Sequence, residues 1–341
     1  MRGLSFFNKI LFFINIIVAV TLLVACAVPY LSLEIFPFLS ILSLGVPALV
    51  VANTVFFLYW LLGLKKQTFT SLFVLVFGYF ILGTFIKFSP KAVDFNEDEL
   101  KVMTFNVRGF NKYNFLDNDS IPQEIKNLVR QESPDIISFQ EVGYDMEENY
   151  LDYPYHHLER IYSGEKVHMG IFSKYPIVKA EIINFPNSIN NGSYVDILYK
   201  GDTLRLYNLH MQSLGITPGT GVLRSQSSER LLRRMTSKFK KQQQQAQIIA
   251  EHKAKSPYKT LVCGDFNNTQ FSSVYHTIKG DMQDTFIEKG SGYGRTYNFL
   301  KIPIRIDFIL ADDNFEVMAH KNYDQKLSDH FPVMASFRLK H

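Results

Sequence analysis

Asp265 and Asn267 follow Gly264 at the end of an apolar run in the segment Lys259-Thr-Leu-Val-Cys-Gly-Asp-Phe-Asn267. Leu261 to Cys263 reads as a buried strand, and Gly264 permits a tight turn. Side chains two apart on extended backbone point the same way. Such a strand end offers a carboxylate and an amide to one point. That pairing suits activation of a water and retention of a charged oxygen. Gly, Asp and Asn also build ordinary turns, so the segment alone is equally a turn.

Other strand-like runs end in the same way. Asn106 lies in Val102-Met-Thr-Phe-Asn-Val107, and Gln140 and Glu141 close Pro134-Asp-Ile-Ile-Ser-Phe-Gln-Glu-Val142. His210 ends Leu204-Arg-Leu-Tyr-Asn-Leu-His210; Asp307 lies in Arg305-Ile-Asp-Phe-Ile-Leu310; Asp329 and His330 lie in Ser328-Asp-His-Phe-Pro-Val333. Glu141 is a hard carboxylate of the kind Mg²⁺ takes, and Asn106 can add a neutral oxygen beside it. Taken singly, Glu141 is as readily a surface acid or the acid at a helix start. Arg305, two residues before Asp307, shares its face on a regular strand, to pair with an acid or approach a phosphate. Arg295 is a similar candidate. His156, His157, His168, His252, His276, His320 and His341 read as satisfied polar residues.

These motifs, in this order, resemble the endonuclease/exonuclease/phosphatase superfamily over about residues 98 to 341. The resemblance implies a four-layered α/β sandwich, two packed mixed sheets flanked by helices. It implies a divalent-metal-dependent phosphohydrolase using Mg²⁺, with Mn²⁺ as the alternative ion. Asn106, Glu141 and Asp329 are then metal contacts. His210, Asp265, Asn267, Asp307 and His330 are catalytic: Asp265 orients or deprotonates water, Asn267 steadies the phosphate, and Asp307 holds His330. Whether Asp265 or His330 is the formal base stays open. Asn208-Leu-His210 resembles the Asn-x-His motif of the deoxyribonuclease and sphingomyelinase branches.

The chain has 341 residues, 47% of them hydrophobic. The apolar content is concentrated near the N-terminus. Ile10 to Leu33, Ile35 to Leu64 and Gln67 to Ile86 are free of charge apart from the residues between them, and each run can supply the ~20 residues of a membrane helix. Three transmembrane helices are expected at about 10–31, 41–64 and 68–87, then a linker at 91–97 and a catalytic domain at 98–341. Arg2, Lys9, Lys65 and Lys66 fall on one side of three spans, whereas Glu34 lies on the other. The positive-inside bias puts the basic side in the cytoplasm and the catalytic domain outside a multi-pass cytoplasmic membrane, in the periplasm where there is one. Cys26 and Cys263 lie in a span and a strand, so no disulfide is expected.

The net charge of +4 belongs to the N-terminal part. Residues 1 to 94 hold six of the 36 basic and two of the 32 acidic residues, leaving 30 of each in the remainder. A neutral domain lacks the basic footprint of a nonspecific nucleic-acid binder. The favoured substrate is a lipid-linked or small phosphate ester. The alternatives are a membrane-tethered nuclease acting on DNA or RNA, and a non-catalytic binding domain; no protein partner is inferred. Within the domain, Ile121 to Arg130 and Ser228 to His252 read as helices, and Ser193 to Leu209 as a hairpin turning at Lys200-Gly201-Asp202. Seven basic residues between Arg224 and Lys241, after a loop with Pro218, Gly219 and Gly221, form either a solvated helix face or a basic arm near the site.

Overall fold

A computed structural model describes residues 4 to 340 apart from 32–36, 84–85, 90–93, 144–149, 160–167, 216–226 and 300–301. Arg2, Glu34, part of the expected linker and the Pro218 to Arg224 loop therefore lie outside the described residues. Three apolar helices come first: α1 (Phe6–Ala27), α2 (Ile41–Leu62) and α3 (Thr68–Leu82). The first two are long and apolar enough to cross a membrane. The third has 15 residues, about 22 Å of helix, and stops at Gly83, where φ is +78°. It ends short of the expected residue 87.

The three helices pack together through buried polar groups as well as apolar ones. Asn15 Nδ2 donates to Ser71 Oγ at 2.7 Å, and Trp60 Nε1 donates to Asn15 Oδ1 at 3.1 Å, so one asparagine joins all three. Tyr59 Oη donates to Asn8 Oδ1 at 2.8 Å, which brings the end of α2 beside the start of α1. Lys9, Lys65 and Lys66 thus share one end of the bundle. At the other end, Ala25, Cys26, Val46 and Val74 pack around Phe271, a residue of the following domain.

That domain is two six-stranded sheets. The strands are β1 (Leu100–Asn106), β2 (Ile136–Val142), β3 (Tyr155–Leu158), β4 (His168–Ser173), β5 (Ile177–Asn184), β6 (Asn191–Tyr199), β7 (Asp202–His210), β8 (Lys259–Asp265), β9 (Gln283–Asp284), β10 (Tyr297–Phe299), β11 (Ile302–Ile304), β12 (Asp307–Ala311), β13 (Phe315–Asn322) and β14 (Val333–Leu339). One sheet runs β13-β14-β1-β2-β4-β3, the other β5-β6-β7-β8-β12-β9, and β10 and β11 form a separate hairpin. Both sheets are mixed: β1 and β2 are parallel, as are β7 and β8, and the other neighbours are antiparallel. Helices α4 (Ile121–Glu132), α5 (Ser228–Ala254), α6 (Ser273–Lys279) and α7 (Thr285–Lys289) complete the domain. The turn between β6 and β7 is Lys200-Gly201, with φ of +49° and +92°. Two positive φ values are what a two-residue hairpin turn needs. Asp202 already belongs to β7.

Strand periodicity explains the layers. Val102, Ile136, Leu204, Leu206, Leu261 and Ile309 face the other sheet and form the central core. Their neighbours Met103, Phe105 and Ile137 face the other way, under Ile125 and Leu128 of α4. Tyr207, Leu209 and Val262 likewise pack under Ala246 and Ile249 of α5. Along the inner faces the residue type changes with direction. Val102 is followed at two-residue steps by Thr104 and Asn106, Ile136 by Ser138 and Gln140, and Leu206 by Asn208 and His210. Because these strand ends gather at one edge, the core becomes polar there.

Gly264 sits inside β8, opposite Leu209 of β7. A Cβ there would lie 2.0 Å from the Leu209 carbonyl oxygen, and its φ is +132°. The glycine serves a close backbone approach and not the tight turn expected at this position. Gly264→Ala should lower stability by roughly 3 kcal/mol or more, since strained φ and a backbone clash add. A thermal midpoint in detergent that stays within a degree or so of wild type would contradict this reading of the β7–β8 contact.

Candidate active site

The polar edge of the sandwich holds the groups that the strand ends supply. Asn106, at the end of β1, is fully buried. Its Nδ2 donates to Glu141 Oε1 at 3.0 Å and to Asp265 Oδ2 at 3.1 Å, so it bridges the two sheets. Gln140 Nε2 reaches Asn208 Oδ1 at 2.7 Å and makes a second bridge. Asn208 Nδ2 donates to the Phe139 carbonyl at 3.0 Å. Asn208 is thus a strut between sheets, one step behind His210.

Glu141 reaches the site by an irregularity. On a regular strand it would face away from Gln140. The pairing of β2 with β4 shifts between Gln140 and Val142, and Glu141 has φ +56°. This bulge re-aims the side chain. His210 Nε2 lies 3.3 Å from Glu141 Oε1 and 3.7 Å from Asp265 Oδ2, and Asn190 Nδ2 lies 3.2 Å from the same imidazole. Burial pulls the Glu141 pKa up, but the His210 hydrogen bond and charge and the Asn106 amide outweigh it, leaving the pKa at about 2. For His210, burial pulls down, and the Glu141 hydrogen bond with the Glu141 and Asp265 charges raises the pKa overall.

Asp265 is 1% exposed. It accepts from Asn267 N at 2.7 Å and Asn267 Nδ2 at 3.0 Å. Asn267 has φ +50° and also donates to the Met211 carbonyl at 3.0 Å. The carboxylate and amide therefore converge through a turn closed on itself, not through the strand periodicity expected from their spacing. Burial raises the Asp265 pKa, partly offset by the charge of His330. Asp307 pairs with Asp265 across β8 and β12. Its two oxygens lie 3.1 and 3.0 Å from His330 Nδ1, while His330 Nε2 lies 3.7 Å from Asp265 Oδ2. Burial pulls the His330 pKa down, but the charges of Asp307 and Asp265 and the Asp307 hydrogen bond raise it to about 10.

Asp329 is placed differently. Its Oδ2 accepts from Arg108 Nη1 in an ion pair, and both side chains line the same pocket as Glu141, Asp265, Asn267 and His330. That pocket is a cavity of about 180 Å³. All eight expected residues lie at this edge of the sandwich, and among the described residues Asp265, Asp307 and His330 bring three possible ligand atoms within 4.8 Å of one another. Arg305 is buried against Asp284 at 2.7 Å, so it braces the fold away from the pocket. Arg295 pairs with Asp324 at 2.6 Å. His320, read as structural, is buried between Thr285 and Asn322, and burial drops its pKa to about 4.

Three contributors were not visible in the sequence. Arg108 faces the pocket two residues after Asn106, at φ +44°. Tyr297 lines the pocket and its ring centroid lies 4.9 Å from that of His330. Asn190 holds His210 from the loop before β6. Arg108 repeats the two-residue spacing of Asp265 and Asn267, which is a usable signal. Tyr297 and Asn190 leave none.

The pocket is lined by the carboxylates of Glu141, Asp265 and Asp329, the hard oxygen donors that suit Mg²⁺ or Mn²⁺. Asn106, expected to add a neutral oxygen, instead turns its NH₂ to Glu141 and Asp265, and its Oδ1 accepts from Arg108 N at 3.1 Å. Glu141 is ionised and its side chain is 36% exposed, so it can face an ion. The raised Asp265 pKa reflects buried negative charge that a cation would relieve. The residues fit a hard divalent ion.

Residues 103–330 match the family described as Endonuclease/Exonuclease/phosphatase. The chain belongs to that family. Its members are typically metal-dependent phosphoesterases or nucleases. Residues 8–85 match a second family, described as a domain of unknown function. No curated protein matches the chain. Among solved structures, an endonuclease/exonuclease/phosphatase family protein from Bacteroides thetaiotaomicron is 20% identical with a TM-score of 0.54, covering 71% of this chain and 98% of that one. A Bacteroides vulgatus endonuclease/exonuclease/phosphatase is 18% identical with a TM-score of 0.52, covering 71% and 99%. Humanized D. rerio TDP2 carrying 14 mutations is 15% identical with a TM-score of 0.52, covering 71% and 100%. These likenesses carry the fold.

The pH consequences follow from the directions of the shifts. The pKa of His330 is higher folded than its ordinary 6.5. Its pairing therefore stabilises fully below that value and is lost as pH rises toward about 10. The Glu141 pKa is lower folded than its ordinary 4.5, so its share is present above that value and is lost as pH falls toward about 2. In metal-free protein, Asp307→Asn should lower the His330 titration midpoint by more than ~1 unit, the scale of one lost neighbouring charge. Imidazole NMR against pH measures it, and an unmoved midpoint would show that Asp307 does not hold the proton.

Proposed function

We propose that this chain is a membrane-anchored, divalent-metal-dependent phosphohydrolase. Its substrate is a phosphate ester, lipid-linked or small, cleaved on the extracytoplasmic side. The observation that carries the chemistry is Asn106 bridging Glu141 and Asp265 beside two histidines, each held by a carboxylate. Support for the anchor comes from α1 and α2, whose outer faces expose Phe13, Ile17, Val51, Val55 and Leu62. The third span is part of the proposal, as is the orientation. The lysines lie at the bundle end away from Phe271, which agrees with a cytoplasmic basic end and an outer catalytic domain.

Glu141 would hold the ion, with Asp329, positioned by Arg108, as a second contact, while Asn106 orients Glu141 through its amide NH₂. The ion, when bound, polarises the phosphoryl oxygen and neutralises its charge. The chain's own residues then do the rest. Asp265, gripped by Asn267 N and Nδ2, is fixed to orient a water or accept its proton. His330, protonated and held by Asp307, presents Nε2 toward the phosphate as a charged donor. His210, between Glu141 and Asp265, is placed to hold a phosphoryl oxygen or give a proton to the leaving group. Tyr297 packs its ring against that of His330 and helps fix the imidazole.

The test is a panel of phosphate esters with the full chain, with Mg²⁺, with Mn²⁺ and with chelator. Glu141→Gln should lose at least ~10²-fold in turnover, as do other charge-stabilising groups. Its thermal midpoint should stay close to wild type. Wild-type turnover in this variant at saturating Mg²⁺, or full activity in chelator, would sink the reading. The orientation has its own test. Alkaline phosphatase fused after His341 should be active in a bacterial host, whereas activity confined to a cytoplasm-dependent fluorescent fusion would reverse it.

A further inference from the structure

We infer that α2 completes the catalytic pocket and that the substrate is a phosphate ester carried on an apolar chain, with the chain against Leu44. This rests on the hydrolase reading above and narrows its substrate class. Leu44 lies in the first turn of α2 and lines the same pocket as Glu141, Asp265 and His330. The lining therefore mixes catalytic polar groups with the apolar side chains of Leu44, Leu214, Ile304 and Ile306. Leu214 in turn packs with Met235 and Phe239 of α5, against which Leu44 and Ile41 of α2 rest.

The contact is built, not grazing. Thr269 Oγ1 donates to the Ser43 carbonyl at 3.0 Å, and Ser43 Oγ lies 3.5 Å from Asn268 Oδ1. Ser43 is fully buried. Asn268 and Thr269 follow directly on Asp265 and Asn267, so the loop that closes the site is bonded to α2. A phosphate group alone has no use for an apolar wall. Arg108 and Tyr297 in the lining would serve any phosphate ester, a nucleic acid included, but a nucleic-acid backbone leaves Leu44, Leu214, Ile304 and Ile306 without a partner. An amphiphile uses both kinds of lining, because its phosphate and its hydrocarbon part within a few ångströms of each other. The cavity, about 180 Å³, takes a head group but not a long chain. The chain must leave it past apolar lining, and from Leu44 helix α2 continues into exposed apolar surface at Val51, Val55 and Leu58. The head group of a membrane amphiphile would already lie at the height of this helix end.

The test uses the full chain in lipid nanodiscs with Mg²⁺. Its probes are phosphate esters sharing one head group and carrying short, medium or long alkyl chains, beside a single-stranded DNA oligonucleotide. In wild type, kcat/KM should rise at least ~10-fold from short to long chain, the scale of a few buried methylenes, mainly through KM. Leu44→Asp should remove most of that rise, and Leu44→Met, which keeps the apolar wall, should restore it. A wild-type enzyme indifferent to chain length overturns the inference, and this arm needs no variant to fold. So does a Leu44→Asp enzyme that keeps the full chain-length gain, or an oligonucleotide cleaved faster than every alkyl ester. In those cases metal-dependent hydrolysis still stands. No hydrolysis of any probe overturns both readings.

Discussion

The site depends on one amide. Asn106 sits at the end of β1, with no solvent contact, and its single NH₂ group serves a glutamate from its own sheet and an aspartate from the other. Two carboxylates facing one buried point repel, and each would be driven to protonate. The amide and the two histidines offset that repulsion. The offset is uneven: Glu141, partly open to the pocket, stays ionised, while Asp265, enclosed, is pushed toward neutrality. Two carboxylates within reach of one amide thus acquire different proton affinities from their surroundings. That difference suits one to holding a cation and the other to handling a proton.

The sandwich makes this arrangement possible through topology. Parallel pairing of β1 with β2, and of β7 with β8, brings four C-terminal strand ends to one edge. The antiparallel β12 begins at that edge with Asp307. Apolar residues fill the sheet interface until the last two inward positions of β1, β2 and β7, where Thr104, Asn106, Ser138, Gln140, Asn208 and His210 take over, and the last of β8, which is Asp265. Two of them bond across the gap, Gln140 to Asn208 and Asn106 to Asp265, and so tie the sheets together at this edge. The rigidity of the apolar part fixes the polar part, because no strand can shift without disturbing the packed layer behind it.

Most of this was legible. Runs such as Leu204 to His210 announce a strand and name its polar end, and six of them in one order pointed to the fold and to all eight residues of the expected site. What was not legible has physical causes. Strand parity sets Gln140 and Glu141 on opposite faces, and only the bulge with its positive φ reverses Glu141. Asn267 looked like a free amide, yet its donors are spent on Asp265 and Met211. Of the two roles open to Arg305, the structure shows the pairing with an acid, but which acid was hidden, because Asp284 lies on a two-residue strand no pattern would flag. Contacts between distant segments are invisible in principle to local periodicity, and Leu44 in the pocket is the extreme case.

The Gln242 to Gln245 run shows how the distant parts are coupled. By composition it resembles a short low-complexity tract. In the structure, Gln242 Nε2 donates to the carbonyls of Gln212 at 2.7 Å and Asn267 at 3.1 Å, and its Oε1 accepts from Asn268 at 2.8 Å. Gln245 Oε1 accepts from Gln212 N at 2.8 Å. One glutamine face thus holds the segment after His210 and the loop after Asp265. One and two turns earlier on the same helix, Phe239 and Met235 meet Ile41 and Leu44 of α2. A helix is stiff over so short a span, so the catalytic loops and the apolar bundle are positioned by adjacent turns of one rod. The basic residues of this helix flank that contact. Lys238, partly desolvated there, has its pKa lowered by burial and by Lys241 and Arg234 beside it. That lowering is the electrostatic cost of crowding basic groups beside the α2 contact, and the helix offsets part of it locally, through the Arg233–Glu229 pair at 2.7 Å and the Lys241 bond to the Asn187 carbonyl at 2.6 Å.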